Sequence, residues 1–204
     1  MIMKKLENIS ELRESENDSR FFIDSSKNDL AEFLRQNNFV FIDRTIQATI
    51  PLKSSSDFKK FCRLPLETSE LNERISEIAK KSFTQDVRFF DSVPPTFDEK
   101  ILENYLSEMK TCYICRVKNE IAGFIEVVDS DEKSECIIRL AAVDEKFRLS
   151  GAALSLYAGA ADLWREKNFR KITGRISTKN FPVVNLYATL GANFSRPYDI
   201  YFRS

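Results

Sequence analysis

From position 61 onward the apolar positions alternate between two periods, about 2 and about 3.6 residues, and each change marks a new element. A short run at 62–66 reads as a strand. Over 70–81, Leu71, Ile75 and Ile78 fall at helical spacing, with Thr68 or Ser69 as the expected cap. Pro94, Pro95 and Thr96 precede a second helix, whose stripe is Ile101, Leu102, Tyr105 and Leu106. Residues 111–117 and 121–128 read as two strands of a hairpin, joined by Lys118, Asn119 and Glu120. A second polar turn at 129–133 leads to a third strand at 135–143, apolar enough to be central. The strongest helix follows at 151–167. Its buried stripe is Leu154, Tyr157, Ala158, Ala161 and Trp164, and its alanines permit close packing on a sheet. Residues 170–177 are a strand. Residues 181–190 are a helix with Pro182 in its first turn and Gly191 at its end. A strand at 199–203 closes the pattern.

The first 58 residues differ in texture: they are rich in polar residues and hold no glycine. Residues 30–36 look helical and 39–50 look extended, and Pro51 with the serines at 54–56 marks a turn. The expected organisation is an N-terminal α/β extension, 1–58, and a mixed α+β domain, 59–204. The order in the larger part, β-α-α-β-β-β-α-β-α-β, combines an antiparallel meander with α/β crossovers.

Composition then removes whole classes of function. Lys plus Arg, 31, equals Asp plus Glu, 31, which argues against a nucleic-acid partner. No run approaches the roughly 20 apolar residues of a membrane span, and the N-terminus lacks an apolar signal core, so a cytoplasmic protein is expected. Cys112 and Cys115 form a C-x-x-C, but on a strand two residues three apart point to opposite faces. They are read, with Cys62 and Cys136, as free thiols and not as a metal or redox site. There is no histidine. Triads built on histidine, H-E-x-x-H metal sites and histidine bases are therefore excluded, and no metal is expected.

The chemistry concentrates between 140 and 191. The strand at 135–143 runs into Arg148-Leu149-Ser150-Gly151-Ala152-Ala153 and then a long helix. Unpaired N–H groups and the dipole of a helix start favour an anion such as a pyrophosphate, Gly151 permits close backbone approach, and Arg148 can add a charged hydrogen bond. Asn180 stands at a helix start and Tyr187 two turns on, nearly on the same face, offering an amide and a phenolic proton.

Together these residues resemble the GCN5-related N-acetyltransferase superfamily, over residues 62–203. Its acyl-CoA signature [QR]-x-x-G-x-[GA] is met by Arg148, Gly151 and Ala153. Its later signature N-x-x-A-x-x-L-Y-x-x-L-G is met by Asn180, Leu186, Tyr187, Leu190 and Gly191, with Val183 in place of alanine. Asp18-Ser19-Arg20-Phe21-Phe22, Phe41-Ile42-Asp43-Arg44-Thr45, Val87-Arg88-Phe89-Phe90 and Gly191-Ala192-Asn193 are similar to elements of bacterial dTDP-fucosamine (dTDP-4-amino-4,6-dideoxygalactose) N-acetyltransferases.

The resemblance implies a central twisted mixed sheet flanked by helices, acetyl-CoA as acetyl donor, and a small-molecule amine as acceptor, a dTDP-amino sugar above all. It implies that Leu140, Ala141, Ala142 and Val143 offer backbone to the pantetheine and that a bulge near Leu140 or Ala141 polarises the thioester. Residues Arg148, Leu149, Ser150, Gly151, Ala152 and Ala153 hold the pyrophosphate, Asn180 contacts the pantetheine or the cofactor's turn, and Tyr187 protonates the leaving thiolate. Residues 1–58 become an acceptor-binding unit. Arg88, Arg44 and Glu126 become acceptor-side candidates, against the alternative of surface ion pairs for the two arginines. The base is left open between Glu126, Glu135 and a relayed water. Pairing of exposed final strands suggests a homodimer. Other acceptors, such as a protein N-terminus, a polyamine, an amino acid or a drug, or a non-catalytic acyl-CoA-binding module, are the alternatives.

Overall fold

The computed structural model describes residues 4–9, 11, 20–53, 57–91, 93–130 and 134–203. Asp18, Ser19 and the serines at 54–56 lie outside them. Nine strands form one sheet: β1 Lys4–Lys5, β2 Arg20–Asp24, β3 Phe39–Pro51, β4 Glu67–Ser69, β5 Cys112–Val117, β6 Glu120–Asp129, β7 Glu135–Val143, β8 Lys171–Ser177 and β9 Asn193–Arg203. Among the described residues, five α-helices flank it: α1 Asn28–Gln36, α2 Glu73–Ser82, α3 Glu99–Ser107, α4 Ala152–Glu166 and α5 Phe181–Thr189. The strand order is β1-β2-β9-β3-β8-β7-β6-β5-β4. The β1–β2 and β7–β8 pairs are parallel and the others antiparallel.

Period-2 patterning divides the buried side chains between two faces. Helices α4 and α5 share one core with Cys115, Ile125, Cys136 and Ile138. Helices α2 and α3 share the other with Cys112, Ile114, Phe124 and Leu140. Cys112 and Cys115 thus do point to opposite faces, and both are buried. Burial pushes the Cys112 thiol up to about 12 and the Cys115 thiol up to about 11, which keeps both from ionising at neutral pH.

Most elements follow the sequence expectation within a residue or two, and three differences have physical causes. Residues 62–66 are not a strand. A 3₁₀ turn at Lys59–Phe61 leads a segment across α4, where the Arg63 and Leu64 N–H groups donate to Ser155 Oγ at 3.1 and 3.2 Å. Leu66 packs on α4 so closely that a Cβ at Gly159 would lie 2.7 Å from it. Helix α2 is capped by the Asn72 side chain, which accepts from the Ile75 N–H, and not by Thr68 or Ser69, which belong to β4. Strand β3 lies between β8 and β9, with long antiparallel registers to both. The last strand is longer than the expected 199–203 because Asn193, Phe194 and Ser195 already pair with β3.

Candidate active site

The parallel strands β7 and β8 pair only at their first three rungs, Glu135–Lys171, Cys136–Ile172 and Ile137–Thr173. At that closed end Thr173 Oγ1 donates to Glu135 Oε1 at 2.9 Å, and Lys171 Nζ lies 2.5 Å from the same carboxylate. Beyond the third rung β7 continues to Val143 and β8 to Ser177 without pairing, so the sheet opens between them.

A bulge shapes the open side. Glu126 pairs with Leu140 and Val127 with Ile138, so Arg139 is the extra residue on β7. The bulge carries Leu140 to the α2/α3 core, although Ile138 faces α4 and α5. It falls at Arg139, one residue before Leu140 and two before Ala141, near which it was expected. Farther along, the Asp144 N–H donates to Ala122 O on the β6 side at 2.9 Å, and a Cβ at Gly123 would lie 2.6 Å from Ala142 O. Strand alternation then turns the backbone groups of Ala141 and Val143 toward the opening, and those of Leu140 and Ala142 toward β6.

The strand ends in a tight turn. Asp144 caps the 3₁₀ turn Glu145–Phe147, and its carboxyl is held below the ordinary carboxylate range, first by the Lys146 N–H and then by Arg74. Leu149 is fully exposed. Gly151 caps α4 at φ 82°, a left-handed conformation that costs a side chain free energy. The Ala152 N–H is met by Ser150 Oγ at 3.3 Å. The guanidinium of Arg148 has no ion pair among the described residues, and neither does that of Arg63, whose Cδ lies 3.9 Å from the position of a Gly151 Cβ.

Tyr187 reaches the opening from the α4/α5 face. It is 1% exposed, and a Cβ on Gly174 would stand 2.0 Å from its hydroxyl oxygen. The same position is 3.8 Å from Ile138 Cβ. Gly174 and Ile138 are the first residues past the last paired rung, so the phenol lies where the strands part. The Tyr157 ring meets the Tyr187 ring edge-on, 5.3 Å between centroids at 84°. Burial pushes the Tyr157 phenol up to about 12, and burial, then Tyr157, raises Tyr187 well above its ordinary range. Both phenols feel the Arg88 cation, which opposes the rise.

The remaining expected residues are distributed as follows. Asn180 caps α5, its Oδ1 accepting from the Val183 N–H at 3.4 Å. Arg88 pairs with Asp86 at 2.7 Å and donates from Nη1 to the Arg139 carbonyl at 2.9 Å, so it grips the bulge. Glu126 is buried and accepts from Arg139 Nε at 2.9 Å. Burial raises its carboxyl, and the Arg139 bond opposes this. Arg44 forms a two-armed ion pair with Asp199, at 2.6 and 2.8 Å. Glu135 belongs to the closed end. No group of metal ligands occurs among the described residues, and no helix there is long and apolar enough to cross a membrane.

Four residues were not visible as site residues in the sequence. Tyr157 has the spacing of a core aromatic, and Gly174 has no motif around it. Arg63 lies far from the turn in sequence, and the bulge at Arg139 adds one residue to an otherwise regular strand. A glycine inside an apolar strand was the one usable signal, since it often marks a close approach.

A family model described as "Acetyltransferase (GNAT) family" matches residues 72–192. A comparison with curated protein sequences finds no match. Among solved structures, a functionally unknown conserved protein from Staphylococcus epidermidis superposes with a TM-score of 0.65 at 13% identity, covering 96% of this chain and 77% of that one. A GCN5-related N-acetyltransferase from Sphaerobacter thermophilus gives 0.61 at 13% identity, with 89% and 58% covered. A tandem GNAT protein from the clavulanic acid biosynthesis pathway gives 0.56 at 14%, with 94% and 66% covered. These identities carry the fold alone. The family model spans more than half of the chain, and its span includes the opened strands, the Gly151 turn and Tyr187: the chain belongs to the GNAT acetyltransferase family.

Proposed function

We propose that the protein transfers acetyl from acetyl-CoA to the primary amine of a small molecule. The observation that carries this reading is the Tyr187 hydroxyl lying over Gly174 where β7 and β8 part. In this reading the pantetheine lies along Ala141 and Val143 as an added strand, and residues 148–153 take the pyrophosphate through the helix start and Arg148. Arg63 adds a second cation near that turn. The bulge N–H next to the thioester polarises its carbonyl as charge develops. The amine, deprotonated, attacks the carbonyl carbon. The C–N bond forms, the C–S bond breaks, and Tyr187, protonated across neutral pH, gives its proton to the sulfur.

The acceptor is assigned to the α2/α3 side of the opening, near Arg88 and Glu126. The sequence resemblance makes a dTDP-linked 4-amino-4,6-dideoxygalactose the first acceptor to test, with β3 and the rest of the N-terminal segment helping to enclose it. Calorimetry with acetyl-CoA, followed by thiol release with this sugar nucleotide and a panel of amines, tests both halves. Absence of acetyl-CoA binding removes the transferase reading, and thiol release with other amines alone removes the sugar. Tyr187→Phe is expected to lower kcat by about 10²–10⁴-fold with acetyl-CoA affinity unchanged. An unchanged kcat removes Tyr187 as the acid.

A further inference from the structure

A guanidinium presents two N–H groups side by side along its Nε–Nη2 edge, at the spacing that a carboxylate or a phosphate accepts. Around the opening this edge is closed in three arginines. In Arg44 it is met by Asp199, Nε to Oδ1 at 2.6 Å and Nη2 to Oδ2 at 2.8 Å. In Arg88 it is met by Asp86, at 3.0 Å from Nε and 2.7 Å from Nη2. Arg139 directs Nε to Glu126 and Nη2 to the Tyr105 carbonyl. In Arg175, on β8, the same edge makes no hydrogen bond among the described residues, and no carboxylate pairs with it there. The guanidinium is nevertheless held in place. Nη1 donates to Thr45 Oγ1 at 3.2 Å and to the Arg196 carbonyl at 3.1 Å, and Cζ lies over the Tyr198 ring, 4.4 Å from its centroid. Burial draws the Arg175 cation below its ordinary range; Tyr198 opposes this and the charge of Arg196 adds to it.

Arg175 follows Gly174, the residue at which the strands part. A Cβ on Gly174 would meet the Tyr187 hydroxyl, so alternation along β8 turns Arg175 to the opposite face. That is the face of α2 and α3, to which the acceptor is assigned above. The side chain is exposed, so a ligand can reach it. Holding the guanidinium in advance also removes part of the ordering cost of binding. We propose that Arg175 binds an oxyanion carried by the acceptor amine, a carboxylate or a phosphate, through Nε and Nη2, and so selects acceptors by that group. This rests on the transferase reading above. The diphosphate of a nucleotide sugar and the carboxylate of an amino acid share the chemistry. Arg88 and Arg44, whose edges are closed by Asp86 and Asp199, do not compete for the anion.

One measurement uses the full chain with isotope-labelled arginine, and CoA at saturation to fill the helix start, and follows the arginine Nε–H resonances as inorganic phosphate or acetate is added. The resonances of Arg175, Arg44 and Arg88 are assigned by their loss in the corresponding lysine variants. That of Arg175 is expected to shift with at least one anion, and those of Arg44 and Arg88 to stay fixed; the anion that acts separates phosphate from carboxylate. No shift at Arg175, or equal shifts at all three, overturns the inference. A second measurement uses thiol release with pairs of amines that differ in the anion: glucosamine and glucosamine 6-phosphate, butylamine and 4-aminobutanoate, and the free and dTDP-linked 4-amino-4,6-dideoxygalactose. The protein is expected to prefer the anionic member of at least one pair. Arg175→Gln is expected to raise the KM for that member by about 10–100-fold and to bring the preference near one, with acetyl-CoA affinity unchanged. Arg170→Gln, which removes an exposed charge just before β8, is expected to keep the preference. No preference for any anionic member, a preference that survives Arg175→Gln, or one that Arg170→Gln removes equally overturns the inference. If acetyl-CoA does not bind or no amine releases thiol, the transferase reading fails and the acceptor role of Arg175 falls with it. If thiol is released and Arg175 fails either test, only this inference fails.

Discussion

Strands β7 and β8 are neighbours along their whole length, yet their two ends are built for opposite purposes. At the closed end, three rungs and the contacts of Glu135 with Thr173 and Lys171 satisfy the polar groups within the protein. At the open end, the edge of β7 from Ala141 to Val143 has no partner on β8, and the residues nearby are a glycine, two buried tyrosines and an arginine gripping a bulge. An unpaired strand edge inside a sheet is costly unless something completes it. In the proposed function the same pair of strands separates holding the fold from receiving a ligand. The division falls within one residue, between Thr173 and Gly174.

The sharpest way to break this comparison is to fill the point of divergence. Gly174→Val puts a side chain where the Tyr187 hydroxyl stands. Its expected effect is a loss of kcat of more than about 10²-fold, together with about 1–3 kcal/mol of stability, read by thiol release and by urea unfolding. Near-normal kcat would mean that Tyr187 acts from elsewhere or not at all. A smaller effect is expected at the turn. Gly151→Val forces a β-branched residue into a left-handed conformation, so acetyl-CoA binding weakens by about tenfold, measured by calorimetry, while kcat at saturation holds. The smallest belongs to the closed end. Thr173→Val removes the bond to Glu135 and is expected to cost about 1 kcal/mol of stability, with acetyl-CoA affinity untouched. Loss of affinity there would show that the two ends are not separable.

Much of the site could be read in the chain because it rests on local backbone demands. Gly151 and Gly191 both adopt positive φ, at 82° and 76°, and a glycine at such a position leaves a mark in the sequence. The hairpin turn was legible for the same reason, since Lys118 and Asn119 both take positive φ. The illegible parts depend on contacts between distant segments. Nothing near residues 39–51 says that this strand lies between β8 and β9, because its alternation suits any sheet with two covered faces. The segment at 62–66 has strand-like residues, but Ser155 on α4 takes up its N–H groups. Tyr157 has the spacing of a core aromatic, and only the fold shows which ring it meets.

In the proposed function acetyl-CoA completes the open edge of β7. Amide hydrogen exchange with and without acetyl-CoA tests it residue by residue. Added acetyl-CoA is expected to slow exchange at Ala141, at Val143 and across residues 148–153, and to leave the already paired rungs at Glu135, Cys136 and Ile137 unchanged. Slowing spread evenly over β7, or confined to segments away from the opening, would contradict it.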